Sequence, residues 1–288
     1  MKEASSHLRM SSIKTYYRLV KPGIVYGNAI PAIATFLYAG GSVVSFVGTL
    51  GGLSLSIAGA CVLNNVLDRD IDSRMERTKT RALPTGEIAV PQALLYAAVL
   101  IVSGFALLLF LTNVRAFLAV LTGVVVYVGL YTPAKRWTVH STLIGAIAGA
   151  VPPVAGYLGA GMPFNETAVG LFLVLATWQM VHFYAIAIFR HDDYRAADLP
   201  VMTVHRGVPQ AKALMILYAF LFGGTVFSLF ATAGLGLLYA AVMGAVCLGW
   251  IALAVAGLFT KDTDRWARRM FFYSLVALLI FSATLAVS

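Results

Sequence analysis

The sequence predicts an all-α fold: a polytopic membrane bundle of nine transmembrane helices in a single integral-membrane domain covering residues 1–288. Three observations predict it. The chain is 60% hydrophobic and only 11% charged, far from the balance of a soluble domain. Its apolar residues fall into nine runs of roughly the 17 to 25 residues that a crossing helix needs. The bases between those runs are asymmetric: with the N-terminus inside, twenty of the 21 Lys and Arg residues lie in cytoplasmic segments and only Arg115 lies outside. A wrong span count would scramble that pattern, so nine spans with the N-terminus cytoplasmic and the C-terminus outside are expected.

The first 22 residues form a cytoplasmic arm with Lys2, Arg9, Lys14, Arg18 and Lys21 but no apolar core. It does not read as a cleaved secretory signal, and the first span is itself the insertion signal. Spans are expected over 23–40, 44–66, 91–111, 116–131, 141–160, 167–189, 213–232, 235–258 and 270–287. Lys21, before Pro22 and Gly23, is expected to anchor in lipid headgroups rather than to reach a substrate phosphate. Asn28 and Pro31 interrupt span one with an amide and a kink.

Span two runs directly into NNVLDRDIDSRMERTKTRALPTG, residues 64–86. Read as a continuing helix, Asn64, Asp68 and Asp72 stack on one face at i, i+4 and i+8. An Asp near a bilayer costs up to roughly 2.5 to 3.5 kcal/mol on insertion scales, so a compensating cation is expected. An oxygen-only ligand set suits Mg²⁺, which takes one or two carboxylates and completes its shell with water and substrate phosphate. Arg74, Arg77, Lys79 and Arg81 follow and suit phosphate oxygens. The competing reading is a cytoplasmic loop whose charges solvate a helix end; a charge run alone favours that, whereas this spacing against a span favours a site.

Span four ends in YTPAKR, whose Lys135 and Arg136 are also what orientation alone requires. Span five carries Gly145, Gly149, Gly156, Gly159 and Pro152-Pro153, which permit close helix approach or leave room for a bulky ligand; both readings stand. Span six runs from Trp178-Gln179-Met180-Val181-His182 to Asp192-Asp193. If helical throughout, His182 and Asp193 share one face, although a lone His in a span is as readily a hydrogen-bonded core residue. Spans seven to nine have no ionisable group in their apolar stretches and read as wall, and the DxD spacing at 262–264 reads as a solvated turn. Cys61 and Cys247 read as buried, inert thiols. The formal charge of +9 reflects topology, and no nucleic-acid partner is expected.

Asn64-x3-Asp68-x3-Asp72 with Arg77-Thr78 and RALPTG resembles the first aspartate-rich motif of the UbiA-type intramembrane prenyltransferases, and YTPAKR is similar to their tyrosine, proline and lysine-arginine turn. With VKPGIV at span one and WQMVHFYAIAIFRHDDYRAADLPV in span six, the narrower resemblance is to the heme-farnesylating branch, collinear over nearly the whole chain. The resemblance implies a central cavity open to the cytoplasmic side. It implies transfer of farnesyl from farnesyl diphosphate to a vinyl group of heme B, with addition of water and release of diphosphate. It implies Mg²⁺ on Asn64, Asp68, Asp72 and Asp193, and diphosphate on Arg77, Arg81, Lys135 and Arg136. His182 would ligate the heme iron, orient the porphyrin or handle the quenching water. Implied partners are farnesyl diphosphate, heme B and membrane lipid, with heme-copper oxidase assembly factors as further candidates.

Asn65 stands where many members have a second acid, and Val181 where a proline is expected before the histidine. His182 stands near the place where their second motif begins with Asp, which fits the heme branch and counts against an aromatic quinone precursor as acceptor. The rival from another class is an ion-coupled transporter. It predicts acids near mid-membrane, whereas eleven of the 12 acids here crowd the inner side.

Overall fold

The computed structural model describes residues 13–288, and every regular element among them is helical; Lys2 and Arg9 lie outside the described residues. In chain order the main helices are α1 (Ile13–Leu19), α2 (Pro22–Ala39), α3 (Val43–Leu67), α4 (Val90–Leu111), α5 (Val114–Ala134), α6 (Ser141–Gly159), α7 (Glu166–Phe189), α8 (Val208–Ala233), α9 (Leu237–Ala256) and α10 (Thr263–Ala286). Among the described residues eight of them, α3 to α10, are long and apolar enough to cross a membrane. The run expected as span one forms α2, where Asn28, two tyrosines and two prolines dilute the apolar character.

The bundle is built on α7, an apolar helix most of whose residues are buried, with Val169, Leu173 and Phe183 exposed. It packs between α6 on one side and α8 and α10 on the other, with α9 laid against α8 and α10, in a core that includes Phe222, Tyr239, Trp250 and Phe281. On the other side α3 runs along α4, and a methyl group at Gly104 would lie 2.7 Å from the Gly52 carbonyl oxygen, so only glycine permits that approach. Two departures from regular helix shape the interior. The last turns of α5 widen into a π-helix over Val126–Tyr131, and α6 breaks at Ala150, just before Pro152 and Pro153, which cannot donate to the helical ladder.

The N-terminal arm holds a helix that apolar counting missed. Leu19 of α1 packs with Val62, Leu83, Ile88, Ala93 and Ala97, so the arm and the 82–93 segment close together over the end of α3. α10 likewise starts at Thr263, seven residues before the expected run. Its Asp262 side chain accepts from Arg265 N–H, and the helix continues through bases that end an apolar run without ending backbone hydrogen bonding.

Candidate functional site

The acidic face outlasts the helix that carries it. α3 closes at Leu67, yet Asp68 N–H donates to the Asn64 carbonyl at 2.9 Å and Asp72 N–H to the Asp68 carbonyl at 2.7 Å. The short helix Arg69–Asp72 thus keeps the i to i+4 path. Asn64, Asp68 and Asp72 are 3%, 5% and 5% exposed. Buried carboxylates demand partners, and two other segments and Asn64 itself supply them. Lys135 at the end of α5 donates to Asp68 Oδ2. Arg81 Nη1 donates to Asp72 Oδ2 at 2.8 Å. Asn64 Nδ2 donates to Asp68 Oδ2 at 2.9 Å and to Thr132 Oγ1 at 3.0 Å. Thr132 donates in turn to the Tyr127 carbonyl at 2.8 Å, which the π-turn also presents to the Thr132 N–H.

Lys21 completes the cluster, which corrects the expectation that it anchors in headgroups. Its left-handed backbone (φ 52, ψ 67) at the start of α2 turns the side chain inward, a conformation that costs a non-glycine residue about 1 kcal/mol. Nζ donates to Asn64 Oδ1 at 2.6 Å, and burial pushes the ammonium down to about 8. Lys135 is lowered by burial too, against the opposing pull of Asp68.

One atom is left over. Asp68 Oδ1 is buried with no hydrogen-bond partner among the described residues. An orphaned carboxylate oxygen, with a second buried carboxylate one turn on at Asp72, fits a hard divalent cation.

The predicted phosphate-binding bases divide. Lys135 and Arg81 face the cluster. Arg77 is exposed and beside Tyr194, with no ion pair among the described residues. Arg136 is engaged beside the cluster: it grips both Asp70 oxygens at 2.7 Å and the Leu67 carbonyl at 2.7 Å. This bidentate fork clamps the end of α3 and commits three of the five guanidinium N–H donors.

The shared helical face of His182 and Asp193 is a second correction. α7 ends at Phe189, and Arg190 (φ −114, ψ 19) turns the chain into a separate helix, His191–Ala196. The azimuth count linking His182 to Asp193 does not survive that break. Asp193 Oδ2 lies 3.7 Å from Arg190 Nη1, and among the described residues no three His, Cys, Asp or Glu side chains gather into a metal-binding group. The two motif regions do meet: Ile71 and Met75 pack on Ala197 and Leu199, with Tyr194 against them.

Beside the cluster lies a cavity of about 340 Å³. Tyr131, whose ring centroid is 5.7 Å from Lys135 Nζ, lines it together with Gly23, Cys61 and Tyr127. Leu53, Ile57, Leu175 and Leu278 give it an apolar wall, and Trp178 and His182 close part of it from α7. His182 Nδ1 is 2.7 Å from Ser274 Oγ on α10. The close-approach reading holds for all four α6 glycines, a side chain at Gly145 striking Tyr131 and one at Gly149 striking Gln179. Gly145 and Gly149 line the cavity, while Gly156 and Gly159 lie where a side chain would strike α2 and α3.

The UbiA prenyltransferase family model matches residues 28–276. The chain belongs to the UbiA prenyltransferase family. It is 43% identical over 280 residues to a protoheme IX farnesyltransferase of Pectobacterium carotovorum, covering 96% of this chain and 95% of that one. Protoheme IX farnesyltransferase 2 of Pseudomonas putida strain GB-1 is 42% identical over 282 residues, with the same coverage. Two solved structures share the fold. A digeranylgeranylglyceryl phosphate synthase superposes with a TM-score of 0.79 at 16% identity, covering 96% of this chain and 97% of that one. A UbiA homologue from Archaeoglobus fulgidus bound to GPP and Mg²⁺ superposes with a TM-score of 0.70 at 19% identity, covering 94% and 99%.

Within this UbiA-family prenyltransferase, sequence reasoning missed Lys21, Thr132 and Ser274. The signal for Lys21 was a base directly before Pro-Gly at the start of a span. Thr132 and Ser274 carried none, because a hydroxyl in an apolar helix bonds its own backbone far more often than a distant side chain.

Proposed function

We propose that this prenyltransferase moves the farnesyl group of farnesyl diphosphate to a vinyl group of heme B, adding water to give the hydroxyethylfarnesyl side chain of heme O and releasing diphosphate. The observation that carries the reading is 43% identity, over 96% of the chain, to a protein named for that activity. The geometry supports it with a buried anion-handling cluster beside an apolar cavity.

Heterolysis of the allylic C–O bond gives a farnesyl cation and diphosphate. The vinyl electron pair forms the new C–C bond, and the cation left beside the porphyrin takes up water and releases a proton. Lys21, Arg81 and Lys135 already converge on Asn64, Asp68 and Asp72, so positive charge is fixed where the leaving anion develops. Arg77 adds charge from the exposed segment. Asn64, Asp68 and Asp72 would hold Mg²⁺, which when bound supplies Lewis-acid neutralisation of diphosphate. The apolar walls keep water from the allylic cation, and Tyr127 and Tyr131, stacked at 5.5 Å, offer it π faces. We place the cluster on the cytoplasmic side of a bacterial inner membrane, the side that receives the Lys and Arg residues.

The test is a purified assay with Mg²⁺, farnesyl diphosphate and heme B, read by product mass. A gain of farnesyl plus water on heme B is expected, abolished by EDTA and restored by Mg²⁺. Prenylation of an aromatic quinone precursor with heme B left unchanged would refute the reading.

A further inference from the structure

His182 lines the cavity, and its hydrogen bonds determine which ring nitrogen is bare. The Ser274 hydroxyl donates to the Phe271 carbonyl, so Ser274 Oγ has only lone pairs to offer His182 Nδ1, 2.7 Å away. In the neutral imidazole Nδ1 therefore carries the hydrogen and Nε2 carries the lone pair. Nε2 makes no hydrogen bond among the described residues. The ring is also held in place. Trp178, one turn earlier on α7, stacks on it at 4.9 Å and 20°, and Phe271 packs at 4.8 Å. Trp178 Nε1 donates to the Ser274 carbonyl at 2.7 Å, so one residue of α10 anchors both rings.

A histidine tied back through one nitrogen and presenting the other is the arrangement of a metal ligand. A resident ion would need more ligands than this, and no such group exists among the described residues. A porphyrin iron brings four nitrogens of its own and needs one axial donor. We propose that His182 Nε2 is the axial ligand of the iron in the porphyrin substrate and that Ser274 is its positioning residue; this rests on heme B being the acceptor. The bond is dative: the Nε2 lone pair enters an axial site, no proton is released and no electron is transferred. Donation from Nε2 to a porphyrin propionate is excluded by the same tautomer. Pinning the iron to α7 fixes where the vinyl groups lie in the cavity.

The test uses the purified full-length protein loaded with ferric heme B, with pulsed electron paramagnetic resonance on protein labelled with ¹⁵N-histidine. Wild type is expected to show ¹⁵N coupling to iron, His182→Ala to lose it, and His140→Ala, at an exposed position, to keep it. Ser274→Ala keeps the coupling, shifts the iron–histidine stretch of the ferrous protein and weakens heme binding roughly tenfold. The wild-type measurement depends on no variant folding. Its failure to show coupling, in protein that farnesylates heme B, overturns the inference and leaves the acceptor reading intact. A His182→Ala spectrum identical to wild type overturns it equally. Wild type that neither binds nor farnesylates heme B overturns both.

Discussion

Asp68 divides its work between two oxygens, Oδ2 held by Lys135 and Asn64 and Oδ1 left without a partner. Asp68→Asn keeps the shape and removes the charge, so turnover is expected to fall by about 100-fold or more, while size-exclusion profile and helical circular dichroism stay unchanged. Full activity in that variant would refute the cation role. Asp193→Ala, which loses only a 3.7 Å contact with Arg190, is expected to cost far less in the same assay. Arg136 and Lys135 adjoin in sequence yet should give opposite phenotypes. Lys135→Ala should depress turnover, whereas Arg136→Ala should lower stability with the KM for farnesyl diphosphate little changed. The pH dependence has a definite sign. The Arg136 guanidinium holds the Asp70 carboxyl well below the usual carboxylate range. The pair therefore stabilises the fold above the unfolded carboxyl's value of about 3.9 and loses that contribution as acid titrates Asp70 through its lowered folded value. Both side chains are substantially exposed, 31% and 53%, so the effect stays within about 1 kcal/mol. Thermal unfolding in acid should show it in wild type and not in Arg136→Ala.

At the scale of elements, position depends on close approach and on deliberate irregularity. α6 lies on α2 because Gly156 has no side chain; a methyl there would strike the Ala32 carbonyl and Thr35 Oγ1. Gly156→Ala is expected to destabilise by about 1 to 3 kcal/mol through overpacking, seen as a lower Tm in detergent. The π-turn of α5 places Thr132 where its hydroxyl accepts from Asn64 and donates to Tyr127. Thr132→Val keeps the volume and removes both bonds, so a loss of about 1 kcal/mol per bond and a reduced turnover are expected. Unchanged activity there would show that the π-turn does not position Asn64.

For the whole molecule, the proposed orientation predicts that Phe164→Cys, at an exposed site, reacts with an impermeant thiol reagent in cells with permeabilised outer membranes. Trp137→Cys, also exposed, should react only after lysis, and the reverse pattern would invert the topology. The native Cys61 and Cys247 are buried and should stay silent. Much of this architecture was legible in the sequence, since apolar run length and the placement of bases follow from the cost of dehydrating backbone and charge, which each segment meets largely alone. The same holds for Asn64, Asp68 and Asp72, whose spacing survives the end of α3 because i to i+4 bonding does. Azimuth could not be carried past Arg190, where one dihedral pair redirects everything after it. By itself the sequence determined the helical class, the approximate spans and the acidic face, all local consequences of composition and periodicity. Only the tertiary structure decided that Lys21 turns inward, that Arg136 is bound to Asp70 and that Ser274 sets the tautomer of His182. Each of those depends on which distant side chain arrives within hydrogen-bond reach, a distance that helix packing settles and no local pattern encodes.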